Sequence, residues 1–377
     1  MKIGVIGGGI GGLSLGIALR HMGIDCTVYE QSKSLKPVGA GILLGNNVMQ
    51  IYDKLGLRAS LEEVSNPIHE LQITKPSLKP MSRVSLVRFA KKYGVNNLSI
   101  HRAALQGVLA ESFAERGGKL KLGCSFQSFE EKGQKVTACF ENGDTETFDG
   151  LVGADGINSK VRKQLFPKSR IISAGQYCWR GVVDYKLPDP IRHTVREAWG
   201  KGTRFGHVAI DERRVYWFAV QSEDLGPVEP PSQAWRGHFK NYDPLVSELI
   251  EKTDRDSIHA APLMELSLLK RWSAGNVTLL GDAAHAMTPN MGQGAGQAIE
   301  DAYALANVLS SGGSISQAFD LYHNKRKKKV GRIVKTSRHI GVVSHWQSAI
   351  GAFFRNRMIT ITPDWMNQRQ LAYVFEI

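Results

Sequence analysis

The sequence has few of the features that mark disulfide-rich, metal-binding or membrane-spanning proteins. Its 377 residues include four cysteines, which form neither a C-x-x-C pair nor a metal-ligand spacing, so we predict reduced thiols and no metal site. The longest uncharged run near the C-terminus, residues 339–354, is shorter than the ~20 residues of a membrane-spanning helix. The apolar N-terminus lacks a signal-peptide cleavage pattern. We therefore expect a cytoplasmic protein without a membrane span.

The composition is that of a soluble enzyme with an excess of positive charge. Hydrophobic residues make up 42%, charged residues 22%, and the net charge is +13. Part of the excess lies in residues 325–329 (KRKKK), which we interpret as the solvated face of a long helix. Its opposite face carries apolar side chains, at Phe319, Tyr322, Ile333 and Val334. The alternatives are an acidic-membrane patch, a nucleic-acid patch, or steering of anionic NAD(P)H. Because no nucleic-acid motif accompanies the run, we predict no nucleic-acid partner.

The first thirty residues carry a nucleotide-binding pattern. A short apolar strand precedes a G-x-G-x-x-G motif formed by Gly7, Gly9 and Gly12, and a helix is predicted over residues 13–22. The glycines permit a tight turn, close approach of the backbone to a pyrophosphate, and close helix–strand packing. Glu30 ends the second strand, where a carboxylate accepts a hydrogen bond from a ribose hydroxyl. The motif predicts a dinucleotide site but does not separate FAD from NAD.

A second strand–turn–helix unit surrounds Asp155 and Gly156 in the middle of the chain. Ser159 is placed to cap the helix, and Arg162 lies in its first turn. By itself, Asp-Gly is also a common turn sequence. The unit therefore supports a nucleotide site only together with the other motifs.

The most specific motif follows an apolar strand at residues 276–280. Asp282 comes at the end of that strand, where its carboxylate can accept hydrogen bonds from sugar hydroxyls. A glycine-rich turn over residues 289–294 then opens a helix predicted over 298–309. Backbone N–H groups at a helix N-terminus favour negative charge. A reduced flavin needs both features, because it has a polyol chain and gains negative charge at one edge of its ring.

Together, the three motifs resemble the class A FAD-dependent aromatic-ring monooxygenases, the para-hydroxybenzoate hydroxylase family. The resemblance spans most of the chain and is nearest to urate hydroxylases, zeaxanthin epoxidases and salicylate hydroxylase-like enzymes. Segments 39–43 and 175–183 match that subgroup. The resemblance implies that FAD is bound non-covalently by residues from all three motifs and the segments between them: Gly7, Gly9, Gly11, Gly12, Glu30, Gln31, Leu43, Arg102, Asp155, Asp282, Pro289, Gly292, Gln293, Gly294 and Ala295.

The resemblance also implies a substrate side. Arg204 and Tyr216 fall where the urate hydroxylases place a catalytic Arg and a substrate-side Tyr, and Cys178 and Arg180 fall at substrate-binding positions. Both latter positions carry Asn in urate hydroxylases, and Asn290 replaces an Asp. The groups that read a purine are therefore largely missing.

The implied activity is hydroxylation or epoxidation of a small, electron-rich aromatic or heteroaromatic molecule. FAD, transient NADPH or NADH, and O2 would act through a C4a-hydroperoxyflavin. The alternatives are a prenyl or alkene reductase of the same superfamily, a halogenase whose W-x-W-x-I-P signature is absent, and a non-enzymatic flavin-binding protein. We expect a monomer or homodimer.

The predicted fold is α/β, with a Rossmann-like FAD-binding domain assembled from residues 1–67, 98–172 and 268–340. An inserted α+β substrate domain, mainly β-sheet, comprises residues 68–97, predicted to be irregular, and 173–267. A C-terminal helical segment covers residues 341–377.

Smaller features of the fold are also predicted. Proline marks a loop at Pro227, Pro230 and Pro231. The stretch 340–358 is predicted to be one helix whose apolar side chains pack into the core, namely Trp346, Phe353 and Phe354. A lipid-facing or substrate-facing role for this apolar side is the alternative. His285 is interpreted as a packing and hydrogen-bonding residue rather than a general base.

Overall fold

The computed structural model describes residues 1–35, 40–189, 191–226 and 233–377. The predicted proline loop and Gly39 of the segment 39–43 therefore lie outside the described residues. The strands of the described residues are β1 (Lys2–Ile6), β2 (Asp25–Glu30), β3 (Gly41–Leu44), β4 (Ser65–Ile68), β5 (Glu70–Thr74), β6 (Pro80–Ser85), β7 (Asn97–His101), β8 (Lys119–Leu122), β9 (Phe126–Lys132), β10 (Lys135–Phe140), β11 (Thr145–Phe148), β12 (Gly150–Gly153), β13 (Ile171–Asp184), β14 (Thr194–Trp199), β15 (Thr203–Ala209), β16 (Arg214–Ser222), β17 (His259–Leu266), β18 (Ser273–Ala274) and β19 (Val277–Leu279). The α-helices are α1 (Ile10–His21), α2 (Asn46–Lys54), α3 (Arg58–Glu63), α4 (Val87–Tyr93), α5 (Arg102–Glu115), α6 (Lys160–Leu165), α7 (Pro244–Lys252), α8 (Asp282–His285), α9 (Gly294–Ser310), α10 (Ile315–Ser344), α11 (Ala349–Ile361) and α12 (Asp364–Phe375).

The nucleotide motifs meet at one six-stranded sheet, with the order β18-β19-β12-β1-β2-β8. Its strands are parallel except for the short edge strand β18. Strands β1, β12 and β19 are almost wholly buried, as expected for parallel strands covered on both faces. Because all three run in the same direction, their C-terminal ends bring the glycine loop, Asp155 and Asp282 to one edge. The predicted α/β fold class is confirmed.

A seven-stranded sheet, with the order β17-β13-β16-β15-β14-β5-β6, stands beside the first. One of its faces carries Phe205 and Trp217, which pack against Trp235, Phe239 and helix α7. Because side chains alternate along a strand, the residues next to Phe205 and Trp217 in sequence lie on the opposite face of the sheet. Two three-stranded sheets, β11-β10-β9 and β3-β7-β4, complete the described strands.

The prediction that residues 68–97 are irregular is wrong. They form β5, β6 and α4, and β5 pairs in parallel with β14. Pro80 is compatible with this pairing because it is the first residue of β6, a position where its missing N–H is tolerated. The segment therefore extends the seven-stranded sheet.

The single helix predicted over residues 340–358 is also wrong. Helix α10 ends at Ser344, and Ser348 caps α11 by accepting a hydrogen bond from the Gly351 N–H at 2.9 Å. Phe353 and Phe354 are 66% and 59% exposed, so they do not pack into the core. The cause is the break before Ser348, which turns these rings away from the body of the protein.

The basic run 325–329 agrees only in part with a solvated helix face. Lys325, Lys327 and Lys328 are exposed, but Arg326 is buried and Lys329 is half-buried. Both of the latter reach carboxylates on α9. The interpretation is wrong for these two residues because the carboxylates of α9 need cationic partners in the interior.

Candidate active site

Of the three glycines that form the G-x-G-x-x-G motif, the fold requires two and does not require the third. Gly7 has φ +111°, and a Cβ there would lie 2.3 Å from the Ala154 carbonyl oxygen. A Cβ on Gly12 would lie 1.9 Å from the carbonyl oxygen of Gly7. At Gly9, no atom of the described residues lies within 4 Å of the Cβ position. Gly9 therefore faces open space at the N-terminus of α1, where a pyrophosphate approaches the backbone in such loops.

The different surroundings of Gly12 and Gly9 predict different outcomes for an alanine substitution at each position. Gly12→Ala is expected to destabilise the apoprotein, because the loop backbone must move. Gly9→Ala should leave apoprotein stability unchanged but weaken FAD binding by at least roughly tenfold, about 1.4 kcal/mol, because the methyl group occupies the space of the pyrophosphate. Thermal unfolding of the apoproteins and FAD titration test both expectations. Wild-type FAD affinity in Gly9→Ala would contradict the pyrophosphate position.

Glu30 lies beside this loop. Its carboxylate accepts hydrogen bonds from the N–H groups of Gly8, at 2.8 Å, and Ser32, at 2.9 Å. Gln31 follows as an exposed residue, and Gly11 packs against Leu280 near the third motif. The predicted ribose-binding acid is therefore held at the edge of the loop.

Asp282 and Arg102 lie near one another beside the glycine loop, at the edge of the cleft that we assign to the flavin. Asp282 is solvent-exposed, and among the described residues no group donates a hydrogen bond to its carboxylate. Surrounding protein raises the pKa of Asp282 by desolvation, while His285 and Arg102 oppose that rise. A carboxylate that is open to solvent and has no partner among the described residues fits the hydroxyl groups of a ribityl chain. Arg102, exposed at the start of α5, suits the adjoining pyrophosphate.

The glycine-rich turn after Asp282, residues 289–294, ends at the N-terminus of α9, and we call it the flavin loop. Pro289 and Gly292 are exposed, and Gly292 has φ +61°, which favours glycine. Gly294 and Ala295 are the first residues of the 17-residue helix α9, which no side chain caps. Free N–H groups therefore face the cleft where a reduced flavin would carry negative charge. Gln293, in contrast, is buried.

Asp155 is engaged in helix capping. Its Oδ2 accepts hydrogen bonds from the N–H groups of Lys160, at 2.8 Å, and Val161, at 3.2 Å. Ser159 accepts from the Arg162 N–H at 2.8 Å, as predicted. The second carboxylate oxygen, Oδ1, is buried without a partner among the described residues. The cofactor role of Asp155 stays a prediction that rests on this one oxygen.

The four residues predicted for the substrate side lie on one face of the seven-stranded sheet. Strand pairing aligns Cys178 with Val220 and Arg204, and Val182 with Tyr216. Residues two apart on a strand share a face, so Arg180 joins them. This face is opposite to the tryptophan-rich one and turns toward the flavin cleft.

Tyr216 and Arg180 form the half-buried polar centre of that face. The Tyr216 ring lies against Gly41, where a Cβ would approach it to 2.5 Å, so the sheet touches the strand that carries Leu43. Burial raises the pKa of Tyr216, and Arg180 opposes the rise. The Nε of Arg180 points to the Cys178 sulfur at 3.3 Å, and no described carboxylate forms an ion pair with Arg180. An uncompensated guanidinium beside a neutral phenol is suited to bind a ring oxygen with negative charge.

Arg204 is 1% exposed and is already fully occupied by protein groups. Its guanidinium donates to His345 Nε2 at 2.9 Å, Glu197 Oε1 at 2.9 Å and Asn290 Oδ1 at 2.5 Å. Burial and then Arg204 lower the pKa of His345 to about 2, so the imidazole is a neutral acceptor. Through Asn290, Arg204 ties the sheet to the flavin loop, and its predicted catalytic role stays a prediction.

A buried ion network behind the flavin loop was missed by the sequence analysis. Asp301 accepts from Arg326 Nε at 2.7 Å, from His285 Nε2 at 2.5 Å and from the Gly281 N–H at 3.2 Å. Glu300 accepts from Arg326 and, at 2.8 Å, from Lys329. The network fixes the residue before Asp282, and it confirms that His285 is a packing and hydrogen-bonding residue. Two adjacent acids in the apolar helix α9 were the signal that could have revealed it.

A cleft of about 660 Å³ runs between α10 and α12. Met291 of the flavin loop lies at one part of its wall, and the exposed residues Trp365 and Met366 lie at another. Arg332, Tyr373 and other residues complete the lining. The cleft thus connects the flavin loop with the surface of the C-terminal helices.

Comparison with known proteins gives consistent matches over nearly the whole chain. The model of the "FAD binding domain" family matches residues 1–337. "Aurachin C monooxygenase/isomerase" of Stigmatella aurantiaca is 34% identical over 358 residues, with 94% of this chain and 92% of the relative covered. "6-hydroxynicotinate 3-monooxygenase" of Pseudomonas fluorescens is 31% identical, covering 89% and 90%. The crystal structure of Klebsiella pneumoniae HpxO with FAD and uric acid gives a TM-score of 0.91 at 26% identity, covering 100% of this chain and 96% of that one.

Proposed function

The protein belongs to the FAD binding domain family, and from this premise we propose that it hydroxylates a heteroaromatic ring that bears an apolar substituent. The predicted family resemblance, the FAD cofactor and the monooxygenase class are confirmed. The substrate class, the roles of the individual site residues and the domain boundaries are our proposals. The observation that carries the substrate class is Arg180, which forms an ion pair with no described carboxylate and lies beside Tyr216 on the sheet face that meets the flavin-side strand.

Each group on that face has a chemical task. Bound FAD would take reducing equivalents from NAD(P)H and activate O2, so that one oxygen atom reaches the ring. Arg180 neutralises a ring hydroxylate, oxo group or carboxylate, and Tyr216 hydrogen-bonds the same oxygen. Phe218, half-buried near Tyr216 with ring centroids 6.2 Å apart, provides an apolar wall. The chain's own residues therefore orient the ring and exclude water rather than move protons.

The apolar substituent is supported by the cleft and by the relatives. The wall of the cleft at Met291 is lined by apolar as well as basic side chains. "2-heptyl-3-hydroxy-4(1H)-quinolone synthase" of Pseudomonas aeruginosa is 27% identical over 377 residues, and its name describes a quinolone ring with a heptyl chain. We therefore favour an alkylated quinolone-like ring over urate.

The test is stimulation of NADH and NADPH oxidation by three ring classes: a 2-alkyl-4-quinolone, a hydroxynicotinate and urate. We expect the alkylquinolone to give the largest stimulation and a product with one added oxygen. Arg180→Met should raise KM for that substrate by roughly tenfold to a hundredfold, the loss of a charge-assisted hydrogen bond of about 1.5–3 kcal/mol. Arg180→Lys should recover part of it. Preference for urate, or an unchanged KM in Arg180→Met, would contradict the proposal.

A further inference from the structure

The C-terminal helices expose an unusual amount of apolar surface. Of the 17 large hydrophobic side chains that are exposed among the described residues, ten lie within residues 342–377. The patch is defined by Val342, Trp346, Ile350, Phe353, Phe354, Met358, Ile361, Trp365 and Met366. Ordinary monomer surfaces scatter such residues singly, so a continuous cluster marks an interaction surface.

The arrangement of α11 shows that this exposure is organised. Ile350, Phe354 and Met358 follow one another at four-residue intervals, Phe353 lies three residues after Ile350, and all four are 59–72% exposed. The inward side of the helix is fastened by Arg355, which is 2% exposed and donates to the Ser344 and Gly200 carbonyl oxygens at 2.7 and 2.9 Å. The helix thus has its polar anchor inside and its apolar stripe outside, held in a fixed orientation.

Positive charge surrounds the same surface. Residues 321–377 contain eleven Lys and Arg, of which eight are exposed, but two acidic residues, Asp364 and Glu376. Arg357 and Arg369 are exposed within or beside the patch, and Lys335 is exposed on α10. A second copy of the chain seated on this patch would bring two cationic surfaces together. A surface that offers both hydrocarbon and negative charge complements it better.

We propose that this patch docks the protein onto an anionic lipid surface. Phe353, Phe354 and Trp365 enter the interfacial region, and the surrounding Arg and Lys side chains contact lipid phosphates. Among the described residues, no helix is long and apolar enough to cross a bilayer, so the helices lie on the surface. Docking also brings the cleft beside Trp365 and Met366 to the lipid. An apolar ligand then has a path from the lipid toward Met291 of the flavin loop.

The experiment is co-sedimentation of the full-length holoprotein with lipid vesicles. Vesicles of phosphatidylcholine alone are compared with an equimolar mixture of phosphatidylcholine and phosphatidylglycerol, at low and high salt. We expect binding to the anionic vesicles, weakened by salt. Phe353→Ser with Phe354→Ser should reduce the partition coefficient by at least about tenfold. Leu122→Ser, which removes a 40% exposed apolar residue on strand β8, is the matched control and should bind like wild type.

Two results would overturn the proposal. One is absence of binding to anionic vesicles at low salt by a holoprotein that retains its FAD. The other is a concentration-dependent dimer, detected by light scattering, that the Phe353→Ser and Phe354→Ser changes dissociate, because the patch would then be covered by a second copy. Retained FAD absorbance and an unchanged melting temperature in the double variant show that it is folded.

Discussion

Arg326→Met should lower the free energy of unfolding by about 3–5 kcal/mol, because it leaves buried Asp301 without its guanidinium partner and Glu300 with Lys329 as its remaining cation. Arg326 bonds both Glu300 and Asp301, and all three side chains are nearly inaccessible to solvent. Urea denaturation of the apoprotein measures the change. Lys325→Met removes the same charge from an exposed neighbour and should change the free energy of unfolding by less than about 0.5 kcal/mol.

The same network predicts an acid transition. Burial raises the pKa of Asp301, but His285 and Arg326 outweigh burial and lower it to about 2 from an ordinary value of 3.8. A depressed carboxyl pKa stabilises the folded state above the unfolded-state pKa. That stability, about 2 kcal/mol, is lost as the pH falls from near 4 toward 2. Wild type should therefore lose more stability in this interval than Arg326→Met. Equal acid sensitivity, or an Arg326→Met protein as stable as Lys325→Met, would contradict the role assigned to the network.

Asp282→Ala should weaken FAD binding by tenfold to a hundredfold, the loss of charge-assisted hydrogen bonds worth about 1.5–3 kcal/mol. The apoprotein should remain at least as stable as wild type. The direction of this stability change follows from the pKa of Asp282, which desolvation by the surrounding protein raises. Above the unfolded-state pKa, an ionised carboxylate in that position therefore destabilises the folded state. Alanine removes this destabilisation.

FAD titration and thermal unfolding of the apoprotein separate the two effects. Asp144→Ala, at an exposed turn position, is the control and should match wild type in both. Reduced stability without a loss of FAD affinity would mean that Asp282 supports the fold rather than the cofactor.

The nucleotide-binding part of the fold was predictable because its signals are local. A glycine with φ +111° at Gly7 and a strand of four buried residues at β1 leave direct traces in the sequence. These elements agree with the prediction to within a few residues.

The partners of Arg204 could not be predicted in this way. Glu197 is seven residues away on the neighbouring strand, but Asn290 and His345 are 86 and 141 residues away. No local sequence pattern relates residues that are this far apart in the chain. The family resemblance implied a catalytic role for Arg204 and gave no indication of these partners. Similarly, the aromatic side chains of α11 have the composition of a core helix. Tertiary position alone decides that Phe353 faces outward.

Insertion of an oxygen atom from O2 into a heteroaromatic ring is the reaction that we infer for this protein. The most direct test is turnover under ¹⁸O2 with the substrate that most accelerates NAD(P)H oxidation, followed by mass spectrometry of the product. We expect one ¹⁸O atom in the product and no incorporation from H2¹⁸O. We also expect no product in the absence of O2. NAD(P)H oxidation that yields a reduced product without O2, or a product whose new oxygen comes from water, would contradict it.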